Sequence, residues 1–215
     1  MVLAALADIN SVAALALALG CLTDKQLEVE AATAVVKIAR KVQRTNPDAA
    51  GAAVQKGLDV CKAPAARQVA ESARVVVGNM VNIAPQGVAT SPDGLEKDGA
   101  AGGDQAAIDG DPDTYWDEED GKQLYRLVVT FKQPEKIAAV SILGYAHHNF
   151  APKDFEILCD GKAVKKVANA QYDDNFLVIA LDEVSCTTVE LKITGYYGGS
   201  PAIRELGIYR PKPRK

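Results

Sequence analysis

The chain contains the sequence Ala106-Ala-Ile-Asp-Gly-Asp-Pro-Asp-Thr-Tyr-Trp116. Carboxylate and hydroxyl side chains recur from Asp109 to Thr114, and the glycine and proline between them favour a tight turn. Calcium and similar hard cations prefer about six to eight oxygen ligands of these kinds. The turn leads directly into the only tryptophan of the chain, which indicates that it is anchored to a core. We therefore predict a turn that binds a cation, with a solvated acidic loop as the alternative.

Composition divides the 215 residues into two parts. Residues 1–81 are rich in Ala, Val and Leu and contain no aromatic residue, whereas every Trp, Tyr and Phe follows residue 114. The first part has nine basic and seven acidic residues, and the remainder has fifteen basic and twenty-one acidic residues. We predict a helical segment over 1–81, a β domain over 82–210 and a basic tail over 211–215. An acidic β domain without a basic stripe argues against nucleic acid as a partner.

Four helices are predicted before residue 82, from N-terminal signals and from apolar residues at three- and four-residue spacing. The predicted starts are Asn10-Ser11, Thr23-Asp24, Asn46-Pro47 and Pro64. Gly20 is predicted to end the first of these helices. Short helices joined by short turns resemble the last repeats of a HEAT-type α-solenoid, so we expect a structural scaffold here.

The opening of the chain suggests a piece of a longer protein, because Met1 precedes a helix that is already in progress. The apolar run 2–22 lacks a basic start and is interrupted by Asp8, so it fits neither a signal peptide nor a membrane span. Among the four cysteines, Cys159 and Cys186 lie on separate predicted strands. The sequence leaves open whether these two form a disulfide.

After residue 82 the apolar pattern changes from helical to alternating. The predicted strands are 126–131, 137–144, 155–159, 176–181, 188–193 and 203–209. A turn at 132–134 is predicted to separate the first two, and Asp160-Gly161 is a strong hairpin signal. Short strands with frequent turns and no helices between them indicate an antiparallel β-sandwich or jelly roll. The predicted class is therefore α+β, with a helical segment followed by a jelly roll.

Three stretches resemble the discoidin-like domain family, also called coagulation factor 5/8 type C, which includes carbohydrate-binding module family 32. The first is Ala107-Ile-Asp-Gly-Asp-Pro-Asp-Thr-Tyr-Trp116. The second is Pro152-Lys-Asp-Phe-Glu-Ile157 with the turn Asp160-Gly-Lys162, and the third is Pro201-Ala-Ile-Arg-Glu-Leu-Gly-Ile-Tyr209. They occur in the family's order across nearly all of 82–210. The resemblance implies a galactose-binding-like jelly roll.

The resemblance also implies a structural calcium ion. Its implied ligands are the carbonyls of Ala106 and Arg204, the carboxylates of Asp109, Asp111 and Glu205, and the hydroxyl and carbonyl of Thr114. Such an all-oxygen shell without His or Cys suits a hard cation. Because Glu205 lies far along the chain, the ion would tie two ends of the sandwich together and would have no catalytic role.

Family members bind glycans or lipids with loops at one end of the sandwich. Sugar binding needs an aromatic face and a few polar groups, and two stretches offer both. The candidate ligand residues are His147, His148, Asn149, Tyr196 and Tyr197. Adjacent residues of an extended segment alternate, so we expect one of the two tyrosines to face the core and the other to face solvent. The alternative is that the histidines and tyrosines contact no ligand at all.

The chain contains no catalytic motif, such as GxSxG, HExxH or a phosphate-binding loop, so we do not expect an enzyme. The predicted function is a non-catalytic carbohydrate-binding module on a helical-repeat scaffold, for a glycan of the galactose or N-acetylhexosamine type. The resemblance implies a larger secreted bacterial protein in an extracellular or periplasmic location. The acidic run Asp117-Glu-Glu-Asp120 disfavours anionic glycans and membranes. The alternative is an architectural or protein–protein interaction module without a glycan ligand.

Overall fold

The structure is a computed structural model that describes residues 2–43, 45–77, 80–146, 149–172 and 175–212. The chain forms two compact units. One is helical and ends at Val81, and the other comprises Asn82–Pro211. Within the described ranges, no helix is both long enough and apolar enough to cross a membrane.

The helical unit contains five helices: α1 (Val2–Leu6), α2 (Val12–Gly20), α3 (Glu28–Val42), α4 (Pro47–Val60) and α5 (Pro64–Val76). The predicted start of α2 is confirmed, because the Ser11 side chain accepts a hydrogen bond from the N–H of Ala14. The predicted prolines occupy the first turns of α4 and α5.

One predicted helix boundary is wrong. The Asp24 side chain accepts a hydrogen bond from the N–H of Gln26 and makes a local turn, so α3 begins four residues later, at Glu28. Helix α2 does end at Gly20, as predicted, but Gly20 keeps right-handed helical backbone angles and the chain continues from it into a 3-10 turn at Cys21–Thr23. A helix that passes into a 3-10 turn does not need a left-handed glycine to end it.

Helix α3 is the centre of the helical unit and packs against α1, α2, α4 and α5. Its buried face is made of small and β-branched residues, including Ala31, Val35 and Ile38. Glu28, which is 8 % exposed, accepts hydrogen bonds from the N–H groups of Lys62 and Ala63, just before α5 begins. A carboxylate at that position satisfies helix N-terminal donors that would otherwise lack a partner.

The second unit is built on a sheet of seven strands: β1 (Met80–Asn82), β2 (Val88–Thr90), β3 (Tyr125–Gly144), β4 (Pro152–Cys159), β5 (Lys162–Val167), β6 (Phe176–Tyr196) and β7 (Ile203–Pro211). The strand order is β1-β7-β3-β6-β4-β5, with β2 paired to β3. Strands β3 and β6 each merge two predicted strands. The turn predicted at 132–134 is instead an irregularity in the register of β3 between Thr130 and Glu135.

These register shifts let β3 and β6 run through both layers of the sandwich. The first part of β3 pairs with β2 and with the end of β6. The end of β6 also pairs with β4, and β4 pairs with β5. The second part of β3 pairs with β7 and with the start of β6. Large side chains such as Trp116, Tyr125 and Phe155 are fully buried in this unit. The predicted class, a helical segment followed by an antiparallel jelly-roll sandwich, is confirmed.

The predicted hairpin between β4 and β5 is also confirmed. Asp160 and Gly161 both have positive φ angles, 47° and 77°, at the two central positions of the turn. A two-residue hairpin of this kind requires such angles, and Asp-Gly is among the sequences that adopt them most readily.

Candidate functional site

The oxygen-rich turn at 106–114 gathers most of the predicted metal ligands around one hydroxyl group. Oγ1 of Thr114 lies 2.9 Å from Oδ2 of Asp109, 3.0 Å from the carbonyl oxygen of Asp111 and 3.4 Å from the carbonyl oxygen of Ala106. Four oxygen atoms from different residues therefore converge within a volume comparable to the shell of a hard cation.

Strand β7 brings one further predicted ligand, the Glu205 carboxylate, to this turn, while the carbonyl of Arg204 stays a predicted ligand. Oε1 of Glu205 accepts a hydrogen bond from the N–H of Gly110 at 3.0 Å. The guanidinium group of Arg204 donates to the carbonyl oxygen of Pro112. Burial and the nearby carboxylate of Asp109 raise the pKa of Glu205 to about 7. Both effects disfavour a negative charge on Glu205, which a bound cation would favour.

The donor set fits calcium, although with a different contribution from Asp111 than the resemblance implies. The Oδ1 atom of Asp111 accepts a hydrogen bond from the N–H of Asp113, while its carbonyl oxygen faces the Thr114 hydroxyl. Over the described ranges, no three His, Cys, Asp or Glu side chains form a cluster suited to a metal ion. A cation here would therefore depend on carbonyl and hydroxyl oxygens as well as carboxylates, which is usual for calcium.

A second candidate surface forms where the loop containing Asn149 meets the loop that follows β6. Gly198 has φ +78°, and a Cβ atom there would lie 1.7 Å from the carbonyl oxygen of Asn149, so only glycine allows this approach. A Cβ atom on Gly199 would lie 3.1 Å from the carboxylate of Asp120. Asn149 itself is exposed. His147 and His148, the other predicted ligand residues of this loop, lie outside the described residues.

The two predicted tyrosines are both half-buried. The hydroxyl of Tyr196 donates to the carbonyl of Lys122 at 3.0 Å, and its ring packs edge-to-face on Tyr125. The hydroxyl of Tyr197 donates to the carbonyl of Ala170 at 2.9 Å. The expected division into one core and one solvent-facing ring is wrong, because β6 ends at Tyr196 and strand alternation does not extend to the next residue.

An aromatic cluster that was not predicted from the sequence lies beside the Asn149 loop. We call it the Tyr145 cluster (Tyr115, Tyr145, Phe150 and Arg204). The rings of Tyr115 and Tyr145 have centroids 4.3 Å apart, and those of Tyr145 and Phe150 are 6.0 Å apart. The Arg204 guanidinium lies 4.9 Å from the centre of the Tyr145 ring. All four residues are partly exposed. Tyr145 and Phe150 flank the predicted histidine loop, and this closeness in the sequence is the signal that could have indicated the cluster.

Buried carboxylates fix Trp116 behind these surfaces. The indole N–H of Trp116 donates to Oε1 of Glu118 at 2.9 Å and to the hydroxyl of Ser91 at 3.1 Å. The Ser91 hydroxyl in turn donates to Asp104. Oε2 of Glu118 is buried and has no hydrogen-bond partner, and burial raises the pKa of this carboxyl. These groups anchor the core and are not available to a ligand.

The F5/8 type C domain model matches residues 86–206, which is more than half of the chain. The chain belongs to the F5/8 type C domain family. No curated protein sequence matches it. The family match covers both the oxygen-rich turn and the Tyr145 cluster.

Solved structures that share the fold of this F5/8 type C domain include family 32 carbohydrate-binding modules. The module of C. perfringens NanJ, solved with galactose, is 19% identical with a TM-score of 0.50, and the match covers 61% of this chain and 99% of that one. Chitosan-binding module 1 of a Paenibacillus sp. IK-5 chitosanase/glucanase has 19% identity, a TM-score of 0.50 and coverages of 60% and 98%. CBM32-1 of a Clostridium perfringens family 31 glycoside hydrolase has 16% identity, a TM-score of 0.50 and coverages of 57% and 94%.

Proposed function

We propose that residues 82–210 form a non-catalytic carbohydrate-binding module and that residues 1–81 are a helical-repeat scaffold for it. The observation that carries this proposal is the partly exposed Tyr145 cluster beside the polar Asn149 loop. Aromatic rings bind the apolar face of a pyranose ring, while amide and guanidinium groups hydrogen-bond its hydroxyl groups. His147 and His148 remain predicted contacts on the same loop, as do Tyr196 and Tyr197 across from it.

The charge around this surface favours a neutral glycan. Glu119 and Asp120 are exposed, and the carboxylate of Asp120 lies beside Gly199. Fixed negative charges repel sialylated or sulfated glycans and anionic lipid headgroups. We therefore propose a glycan of the galactose or N-acetylhexosamine type. The galactose bound by the NanJ module supports this class.

We also propose a structural calcium ion in the turn at 106–114. Its ligands would come from Ala106, Asp109, Asp111, Thr114, Arg204 and Glu205. The cation would neutralise the crowded carboxylates and hold the turn to β7, and it would supply no catalytic chemistry. The raised pKa of Glu205 and the convergence of oxygen atoms on Thr114 support this proposal.

An extracellular or periplasmic location in a larger bacterial protein agrees with these roles, since glycans and calcium are both available there. CBM32-1 is itself a module of a glycoside hydrolase, which supports an enzyme as the parent protein. We propose that catalysis, if the parent has any, occurs outside this chain.

The test of glycan binding is an array screen of the full chain with calcium present. We expect galactosides or N-acetylhexosamines to bind, and we expect Phe150→Ala and Asn149→Ala to weaken binding at least about tenfold, or about 1.4 kcal/mol. Gln171→Ala, at an exposed position on another loop, is the matched control and should bind like the wild type. Tyr197→Ala tests the predicted tyrosine contact, with Tyr197→Phe as its own control. A folded, calcium-loaded chain that binds no glycan would overturn the proposal.

The alternative function, an architectural or protein–protein module, is favoured by one observation on the helical unit. Large apolar side chains are exposed there at Val2, Ile9, Val12, Leu17 and Val29. Exposed apolar side chains in one small unit are typical of a surface that packs against another protein. A blank glycan array together with self-association that Leu17→Ser abolishes would support this function instead.

A further inference from the structure

Two thiols meet inside the sandwich, and the proposed glycan and calcium functions use neither. Cys159 ends β4 and Cys186 lies within β6, and they are 4 % and 1 % exposed. All four cysteines of the chain are among the described residues, and all four carry free thiols. The other two, Cys21 and Cys61, belong to the helical unit.

The strand register brings the two cysteine-bearing segments together. Cys159 is the register partner of Val189, so Cys186 lies three residues before the position opposite Cys159. The side chain of Asp160 accepts hydrogen bonds from the N–H groups of Thr187 and Thr188 at 2.9 and 2.8 Å. The N–H of Asp160 donates to the carbonyl of Thr188 at 3.0 Å. The residues that follow each cysteine are therefore bonded to each other, and this holds the two cysteine-bearing segments together at the end of β4.

The two thiols also interact directly. Cys186 donates a hydrogen bond to the sulfur of Cys159. This bond lowers the pKa of Cys159, and the same bond with burial raises the pKa of Cys186. The thiolate is the reactive form in disulfide exchange, so Cys159 is the better nucleophile of the pair. By contrast, burial and the Glu28 carboxylate raise the pKa of Cys61.

We propose that Cys159 and Cys186 form a redox-dependent disulfide that closes the segment 160–185 across β4 and β6. With glutathione disulfide as the oxidant, the Cys159 thiolate attacks one of its sulfurs and releases one glutathione thiolate. The Cys186 thiolate then attacks Sγ of Cys159 and releases the second. The two cysteines lose two electrons, and their two protons pass to the two glutathione thiolates that leave.

The disulfide would stabilise the sandwich because it restricts the unfolded chain. Both sulfurs are buried, so the oxidant reaches them only when the end of the β4–β5 hairpin opens locally. Once formed, the bond would be protected from reductants for the same reason. The pair would remain reduced in a reducing compartment and would be oxidised where secreted proteins acquire disulfides.

The test equilibrates the full chain, under folding conditions, in buffers of reduced and oxidised glutathione. Free thiols are then counted in denaturant, and linked peptides are identified by mass spectrometry. We expect the count to fall from four to two in the oxidising buffer, with Cys159 and Cys186 in one linked peptide pair. The thermal midpoint of the sandwich should rise by about 5 to 10 °C relative to the reduced chain.

Variants separate this pair from the other two thiols. The double variant Cys21→Ser with Cys61→Ser should still lose two thiols and show the same thermal shift. Cys186→Ala should lose none as an internal disulfide. Because a cavity at Cys186 could impair folding, the linked-peptide result on the wild-type chain is decisive by itself. Four free thiols in the oxidising buffer, glutathione adducts without the cross-link, or a link to Cys21 or Cys61 would each overturn the proposal.

Discussion

Trp116 owes its position to two hydrogen bonds and to a carboxyl group that burial makes hard to ionise. Its indole N–H bonds to Glu118 and Ser91, and Glu118 is only 3 % exposed. The unpartnered Oε2 atom of Glu118 lies near the Asp104 carboxylate, which further raises the pKa of Glu118. A proton on Glu118 would satisfy that oxygen, so the protonated side chain fits this site better than the charged one.

This pKa shift predicts how stability depends on pH. A carboxyl whose pKa is higher in the folded than in the unfolded chain stabilises the fold fully below its unfolded pKa, and that stabilisation is lost as pH rises through the folded pKa. Glu118→Gln should therefore make the free energy of unfolding fall less steeply than in the wild type as the pH rises above the unfolded pKa of a glutamate, which is about 4.3. Urea titrations at several pH values, with Trp116 fluorescence as the signal, measure this effect. Glu119→Gln, at an exposed neighbouring position, is the control. Equal slopes for wild type and Glu118→Gln would contradict the prediction.

Single residues also show what sequence reasoning can and cannot reach. The approach of Thr114 to Asp109 was predictable because both lie in one short turn, and that of Glu205 followed from the family resemblance, while the calcium ion itself stays a prediction. The Tyr145 cluster was not predicted, because Tyr115 and Arg204 come from separate stretches and meet Tyr145 and Phe150 only after the strands pair. Whether Asp111 offers its carboxylate or its carbonyl depends on a local turn with Asp113, which spacing alone does not specify.

Among the elements, α5 depends on a residue from α3. The Glu28 carboxylate accepts hydrogen bonds from Lys62 and Ala63, and the first turn of α5 begins with Pro64. Ala63 caps α5 without any side-chain hydrogen bond of its own. The cap is therefore supplied from more than thirty positions earlier in the chain, so it holds the two helices together as well as ending one of them.

Removing this cap should destabilise the helical unit. We expect Glu28→Ala to lower its free energy of unfolding by about 1 to 3 kcal/mol, because two partly buried N–H groups lose their acceptor. Far-UV circular dichroism during thermal unfolding measures the loss. Glu30→Ala, on the exposed face of the same helix, is the matched control and should change stability by less than about 0.5 kcal/mol. Comparable losses from both variants would show that the cap contributes nothing.

At the level of strands and helices, the patterns predicted α2 to α5 and the strands that form β3, β4, β6 and β7, but neither β1, β2 and β5 nor the continuation of β3 and β6. Residues 132–134, between the two predicted strands, contain Pro134 and polar residues, a composition that is typical of a turn. In the structure the strand passes through this region with a register shift and changes layers. Such bulges depend on the partner strand, so a single sequence does not reveal them.

Across the whole molecule, the proposed calcium ion would join residues that are distant in the chain. The turn at 106–114 and Glu205 on β7 already share a hydrogen bond to Gly110. Loss of the ion would leave crowded carboxylates near that bond. Loss of the ion should therefore affect the unfolding of the entire sandwich unit and should not be confined to the turn.

Calcium should raise the thermal midpoint of the sandwich unit, and Asp109→Asn should weaken calcium binding at least about tenfold because it removes a carboxylate from the oxygen set. Isothermal titration of the full chain measures the affinity. Asp113→Asn is the matched control, since its carboxylate lies next to the set and its main-chain N–H is the group that bonds to Asp111. Equal losses in both variants would indicate a diffuse charge effect, and no calcium binding by the wild type would refute the site.

The pairing of β3 with β6 along most of their length has a further consequence, for the order of events as the chain folds. Helices in contact within the helical unit are adjacent or one helix apart in the chain, whereas β3 cannot pair with β6 until the whole stretch 145–175 has closed into a loop. Closing long loops before any contact rewards them makes β-rich topologies slow to fold. During synthesis the helices would thus be complete while the apolar face of β3 is still uncovered, because β6 has yet to emerge from the ribosome.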